Sequence, residues 1–97
     1  MQEEYNTLEQ AFLSLKNEEE LKLFIKDLCT PAEIRAIEER WLIAQMLKYG
    51  ELSYRQISEK TGSSTTTIGR VARFMNEENN NGYNLALGRL KSCHKKD

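Results

Sequence analysis

The sequence predicts an all-α fold of six helices, and three observations support this prediction. Apolar residues recur at steps of three and four along most of the chain, which places them on one face of a helix. Residues that favour helix N-caps precede these runs. No segment alternates apolar and polar residues as a half-buried strand does. With 97 residues, 39% of them apolar and 30% charged, the chain is expected to form one small domain over residues 1–97.

The first two helices are predicted in an acidic segment. The apolar stripe of the first, over residues 4–16, consists of Tyr5, Leu8, Phe12 and Leu15. The stripe of the second consists of Leu21, Phe24, Ile25 and Leu28. Asn17 is the expected N-cap of the second helix, and three glutamates occupy its first turn, where the helix dipole favours carboxylates. Cys29 ends the stripe and is interpreted as a small buried apolar residue.

The third helix is predicted to be the longest, over about residues 31–49. Thr30 is its expected N-cap, and Glu33 completes a capping box. Gly50 is expected to end the helix in the left-handed conformation. Residues 41–47, WLIAQML, are apolar on nearly every side, and such a helix has to be buried all round. Because a monomer of this size offers too little core for that, a partner chain is implied.

A helix-turn-helix is predicted over about residues 53–77, which begin with the stretch SYRQISEKTGSSTTTIGRVARF. Ser53 is the expected cap of a helix of about eight residues, and Gly62 is expected to supply the positive φ of the turn. A second helix follows from about Ser64 to Glu77. The residues spaced to pack where these two helices cross are Ile57, Ile68 and Val71.

The end of the chain is predicted to add one more helix, after a loop at NEENNNG. This last helix covers roughly residues 83–92. Its apolar face consists of Tyr83, Ala86, Leu87 and Leu90.

Short hydroxyl side chains at the start of the second helix of the helix-turn-helix favour contact with DNA. A helix that enters the major groove presents its N-terminal end to the bases, so short side chains fit there. Hydroxyls donate to phosphates or base edges, and the free amides of the helix end add to phosphate binding. The alternative is a capping cluster on a surface helix with no ligand. The candidate DNA-binding residues are Ser63, Ser64, Thr65, Thr66 and Thr67, with Arg55, Arg70 and Arg73.

The distribution of charge agrees with a polyanion partner for the C-terminal third. The net charge of −1 conceals a gradient, because residues 1–29 carry −4 and residues 62–97 carry +3. No apolar run approaches the ~20 residues of a membrane span. The acidic start also lacks the basic and apolar regions of a signal peptide, so we expect a cytoplasmic protein.

Catalysis and metal binding have no good candidate residues. His94 is the only histidine, and it lies beside Cys93 in the polar tail SCHKKD. Two adjacent ligands do not make a metal site. The sequence therefore predicts neither an enzyme nor a bound cofactor or metal.

On these motifs the chain resembles the trp repressor family, and within it the YerC/YecD type. The likeness to the family covers roughly residues 27–91. The stretches in register with it are DLCTPAEIRAIEERW, the spacing to YGELSYRQISEKTG, and SSTTTIGR. The resemblance implies an intertwined, all-helical homodimer whose recognition helices face successive major grooves of double-stranded DNA at a palindromic operator. By position it implies Arg55 as a direct base reader, Ser53 and Tyr54 near phosphates, and Thr65, Thr66 and Gly69 toward the bases.

The resemblance also implies an altered ligand pocket. In the trp repressor the indole of tryptophan lies between two arginines, whose positions here are Arg40 and Arg70, and Thr30 matches another pocket position. Val71 and Phe74 differ from the glycine and serine of the repressor. We expect these larger side chains to fill the slot, with the Phe74 ring against Arg40 or Arg70. In the alternative, Phe74 points into the dimer core. Either arrangement predicts that tryptophan is not the corepressor, and no other effector is identified.

The sequence therefore predicts a homodimeric, DNA-binding transcriptional regulator, a repressor by its family. The alternative is a helical dimeric protein-interaction module with a degenerate helix-turn-helix. The weak overall charge favours this alternative, and the acidic first helices would supply the partner surface.

Overall fold

A computed structural model of the chain describes residues 4–77 and 80–90, and all regular structure in these ranges is helical, as predicted. The six helices are α1 (Leu8–Ser14), α2 (Glu18–Leu28), α3 (Pro31–Tyr49), α4 (Tyr54–Thr61), α5 (Thr65–Asn76) and α6 (Gly82–Arg89). The chain divides into two compact units, one up to Arg35 and one from Ala36 onward, and α3 begins in the first and continues into the second. None of the described helices combines the length and the apolar character needed to cross a membrane.

The first unit contains a shorter α1 than predicted. Thr7 forms a capping box with Gln10, in which each residue's backbone N–H donates to the other's side-chain oxygen, at 2.8 and 3.1 Å. This cap starts the helix at Leu8, so Tyr5 lies outside it and is 71% exposed. Leu15 adopts an extended conformation and ends the helix. The predicted range of residues 4–16 was therefore too long at both ends.

The second helix follows the prediction more closely. Asn17 is its N-cap and accepts a hydrogen bond from the Glu20 amide at 2.9 Å. The rings of Phe12 and Phe24 pack edge to face, with their centroids 5.5 Å apart and their planes at 88°. Cys29, which was expected to be buried, is only half-buried because it is the C-cap residue and not part of the helix stripe.

The third helix has the predicted bounds, and its capping box is confirmed. The Thr30 hydroxyl accepts from the Glu33 amide at 3.1 Å, and the Thr30 amide donates to the Glu33 carboxylate at 2.8 Å. The prediction for Gly50 was wrong, because its φ is not positive. Its amide donates to the Met46 carbonyl at 2.9 Å, and a Cβ at this position would lie 3.0 Å from that oxygen. This contact would be tighter than most real Cβ contacts, so the close approach favours glycine there.

The second unit holds the core of the described chain. Its buried members are Ile43, Ala44, Ile57, Ile68, Val71 and Leu87. The packing role predicted for Ile57, Ile68 and Val71 is confirmed, since each is at most 1% exposed. The Tyr49 hydroxyl donates to the Leu87 carbonyl at 3.1 Å and so joins α3 to α6.

The last helix begins after Asn81, which has a left-handed conformation with φ of 61°. The Asn84 side chain donates to the Met75 carbonyl at 2.8 Å and joins α6 to the end of α5. The helix ends at Arg89, so Leu90 is outside it and 57% exposed instead of part of the apolar face. The final predicted residues of this helix, and the tail with Cys93 and His94, lie outside the described residues.

Candidate nucleic-acid interface

Two short helices joined by a glycine turn form the predicted helix-turn-helix. Ser53 caps α4 through a capping box with Gln56, with hydrogen bonds of 3.1 and 2.8 Å. Gly62 has φ of +81°, as predicted, and its amide donates to the Ser58 carbonyl at 2.8 Å. Ser64 then caps α5 by accepting from the Thr67 amide at 3.1 Å. Both helix starts are thus fixed by local sequence.

Ser63 has a different role from the one predicted. It is 7% exposed, and its hydroxyl donates to Oε1 of Glu39, on α3, at 3.2 Å. A side chain buried in this way is not presented to a ligand outside the protein. Ser63 was therefore wrongly included among the candidate DNA-binding residues, and no local feature of the sequence indicated its distant partner.

The outer face of α5 carries most of the remaining candidates. One side of the helix is buried through Ile68, Val71 and Ala72. The opposite side is open, and its positions are Thr65, Thr66, Gly69, Arg70 and Arg73, of which Gly69 is half-buried and the others exposed. These positions repeat at helical spacing and so share one face. The first turn of this face bears only short side chains, and its cationic side chains lie further along the helix.

Two neighbouring hydroxyls are used within the protein. The Ser64 hydroxyl, besides capping α5, donates to the Thr67 hydroxyl at 3.1 Å. Thr67 is half-buried and lines a cavity beside the helix. Thr65 and Thr66, the first two residues of α5, are both exposed.

The start of α4 adds three exposed side chains to the same region. Tyr54, Arg55 and Gln56 are all exposed. Atom Cε2 of the Tyr54 ring lies 4.0 Å from the point that a Cβ of Gly69 would occupy, so the ring lies against the outer face of α5. Tyr54 and Gly69, which the resemblance alone had implied, are thus brought together.

The charge of the helix-turn-helix suits an anionic partner. Residues 53–75 contain four basic residues and one acid, Glu59. The guanidinium carbons of Arg70 and Arg73 lie 5.2 and 5.6 Å from the centroid of the Phe74 ring, within the range of a cation–π contact. The positive end of the α5 dipole adds to this field at its N-terminus.

A cavity lies beside α5 where the resemblance implied a ligand slot. Its volume is about 460 Å³, and it is lined by Arg40, Thr67, Arg70, Val71, Phe74 and Tyr83. The two arginines implied as flanking residues are therefore brought together on one cavity. Tyr83 was missed as a lining residue, because its sequence signal was only the apolar face of α6.

Phe74 does not fill this cavity, and that part of the prediction was wrong. The ring is half-buried and forms a wall, with the guanidiniums of Arg70 and Arg73 near it. The contact expected with Arg40 or Arg70 is formed with Arg70. Phe74 also borders an apolar cavity of about 380 Å³, which Trp41 and Tyr83 share. Thr30, the remaining position that the resemblance implied for the pocket, lies in the first unit and is the N-cap of α3.

The described residues contain no group of three or more His, Cys, Asp or Glu side chains that could hold a metal ion. The polar groups of the cavity are cationic or hydroxyl-bearing, a donor set that binds anions. This chemistry differs from that of a metal centre.

Comparison with known proteins gives a consistent set of matches. The family model described as Trp repressor protein matches residues 3–91. A Bacillus subtilis (strain 168) protein, described as uncharacterized protein YerC, is 43% identical over 88 residues, which cover 91% of this chain and 83% of that protein.

Two crystal structures are also similar to this chain. A TrpR like protein from Eubacterium eligens ATCC 27750 has a TM-score of 0.76 and 44% identity, over 87% of this chain and 88% of that one. A Staphylococcus aureus protein, provisionally described as a Trp repressor, has a TM-score of 0.77 and 40% identity, over 84% of this chain and 80% of that one. These similarities confirm the predicted all-α, trp-repressor-like fold of the single chain.

Proposed function

Because this chain belongs to the Trp repressor family and is of the YerC type, we propose that it is a sequence-specific, DNA-binding transcriptional repressor. The observation that carries the proposal is the outer face of α5, which is open to solvent and changes from short side chains to cationic ones along the helix. A helix with this arrangement can approach base edges at its N-terminal end while its arginines reach the phosphates.

Each exposed residue has a role that follows from its position. Thr65 and Thr66 would meet base edges, because they are short and lie in the first turn of α5. Arg55, at the start of α4, would read a base directly. The phosphate contacts would come from Ser53, Tyr54, Ser64, Arg70 and Arg73, with Thr67 and Gly69 at the close approach. Ser63 is excluded from this surface by its burial.

We propose that the protein acts as a homodimer. Large apolar side chains are exposed in both units of the described chain: Leu13 at 85%, Leu23 at 63% and Leu85 at 54%. Leu42 of α3 is 41% exposed within the segment that is apolar on nearly every side. A second copy of the chain would remove these surfaces from water. The two α5 helices would then contact successive major grooves, ~34 Å apart, on a palindromic operator.

The dimer is tested by mass and by its dependence on concentration. Sedimentation at micromolar protein should give twice the chain mass of 11.3 kDa, and the unfolding midpoint should rise with protein concentration. A folded monomer whose unfolding midpoint does not depend on concentration would contradict the proposal.

Free tryptophan is not proposed as the effector. Val71 is buried beside Arg70, and the Phe74 ring forms a wall of the cavity at the position where the repressor has a serine. These groups change the shape of the slot that would accept an indole. The repressor would therefore bind its operator without tryptophan.

The main experiment is selection of bound sites from randomised duplex DNA, followed by titration of the selected site at several salt concentrations. Phosphate contact predicts that log K falls linearly with log[salt], with a slope of about −0.9 for each phosphate neutralised. Arg55→Ala should weaken binding to the selected site and relax one base position. Arg89→Ala, which removes the same charge from α6, is the matched control and should leave the base preference unchanged.

A protein-interaction module is the second candidate, and the exposed apolar and acidic surface of the first unit favours it. The salt titration separates the two functions. If the folded protein selects no site and does not bind random DNA even at low salt, the interaction module becomes the better proposal.

A further inference from the structure

Ser63 links the turn of the helix-turn-helix to α3. Its hydroxyl donates to Glu39 Oε1 at 3.2 Å, across 24 residues of sequence. Ser63 is the buried polar residue of the described core, while Glu39 is half-buried near the middle of α3. The bond therefore connects the part of α3 that belongs to the second unit to the residue that precedes the α5 cap.

The backbone of Ser63 is fixed from the other side by α4. Its carbonyl accepts from the Ser58 hydroxyl at 2.7 Å, and its amide donates to the Thr61 hydroxyl at 3.1 Å. The Thr61 hydroxyl in turn donates to the Ile57 carbonyl at 2.8 Å. With Glu39, these bonds engage the amide, the carbonyl and the hydroxyl of Ser63. The start of α5 is thus held by both α3 and α4.

We propose that Glu39 is a positioning residue for DNA recognition, which sets the direction of the α5 N-terminus by holding Ser63. The inference rests on the proposed function, because direction matters only if this end of α5 is presented to DNA. A carboxylate close to a DNA-binding surface repels phosphates, so on charge alone its removal should strengthen binding. If Glu39 positions α5, its removal should instead weaken DNA binding, and this difference makes the proposal testable.

The DNA experiment compares two neighbouring glutamates. Glu39→Ala should weaken binding to the selected site by roughly tenfold, the order of one hydrogen bond to a charged group. Glu38→Ala removes the same charge from an exposed position of α3 and should bind as tightly as the parent or more tightly. Glu39→Gln keeps an acceptor oxygen and should stay within about threefold of the parent. If Glu39→Ala binds like Glu38→Ala, the proposal is wrong.

Ser63→Ala completes a double-mutant cycle. The double variant of Glu39→Ala and Ser63→Ala should bind no more weakly than the poorer single variant, because both remove one shared bond. Additive losses would show that the two residues act independently and would overturn the inference. The ratio of affinities for the selected and random DNA should fall in both single variants, since misdirection affects base contacts more than phosphate contacts.

A measurement on the free protein separates this inference from the proposed function. Amide hydrogen exchange at residues 62–65 should become faster in Glu39→Ala and remain unchanged in Glu38→Ala. If the parent binds no DNA but exchange responds in this way, the proposed function fails, whereas the positioning of Ser63 by Glu39 stands. If exchange is unchanged in Glu39→Ala, Glu39 does not position Ser63, whatever the DNA affinity.

Discussion

Replacement of Gly69 by alanine should make the protein more stable and a poorer DNA binder. Gly69 is in the interior of α5, four residues after its first residue, and its φ is not in the left-handed region. Glycine in a helix interior is less favourable than alanine by about 0.5–1 kcal/mol. The added Cβ would meet only Tyr54, at 4.0 Å, which is an ordinary van der Waals contact. No steric cost therefore offsets the gain.

The size of this stabilisation sets the expected rise in the melting temperature, Tm. For a chain of this length, 1 kcal/mol corresponds to about 4–8 °C in Tm, so Gly69→Ala should raise Tm by about 2–8 °C. The same methyl group would project from the face of α5 proposed to approach the bases. A lost or displaced base contact costs about 1–3 kcal/mol, so affinity for the selected site should fall about fivefold or more.

Gly88→Ala is the matched control. Gly88 is also helical, and a Cβ there would meet no atom within 4 Å. It lies in the last turn of α6, outside the proposed interface, so the substitution should stabilise the protein by less than Gly69→Ala does and leave DNA affinity unchanged. Thermal unfolding at equal protein concentration and titration of the selected site measure both quantities. Unchanged affinity in Gly69→Ala would remove Gly69 from the interface, and a lower Tm would refute the helix-propensity argument.

Three further perturbations test the core, the interface and the cavity. Ile68→Ala removes a fully buried side chain and should lower the free energy of unfolding by about 2–5 kcal/mol. Phe74→Ala should lower it by about half of the 3–5 kcal/mol expected for a fully buried ring, because Phe74 is half-buried. Chemical denaturation measures both values. Arg55→Ala should lose about 1–3 kcal/mol on the selected site with a relaxed base preference, and parent-like binding to both selected and random DNA would contradict its placement. Calorimetry with free tryptophan should detect no binding, and micromolar binding that also tightens DNA binding would contradict the proposed repressor mechanism.

The sequence predicted the parts of the fold that depend on local signals. The capping boxes at Thr30 and Ser53 are confirmed because each places its partner three residues away. The turn at Gly62 is confirmed because few other residues tolerate its positive φ. Helix ends were less predictable, since the apolar spacing continues beyond the residue where the cap begins α1.

Contacts between distant segments could not be read from the sequence. The bond between Ser63 and Glu39 joins residues with no periodic or motif relationship, so Ser63 was grouped with the neighbouring hydroxyls as a DNA contact. The cavity was placed by resemblance, but whether Phe74 fills it depends on ring orientation. Val71, by contrast, was correctly expected in the core from spacing alone.

Neighbouring residues of α5 have separate roles because they lie on three different sides of the helix. Ile68 and Ala72 face the core, and Thr66 lies on the open face. Arg70 lies at the border between the open face and the cavity, since it is exposed, lines the cavity and contacts the Phe74 ring. A phosphate outside the protein and an anion in the cavity would therefore compete for one guanidinium. The Phe74 ring, 5.2 Å from the guanidinium carbon, favours this position by only about 0.5–1 kcal/mol, as is usual for an exposed cation–π contact. Either anion could therefore draw the Arg70 side chain to its own side of the border.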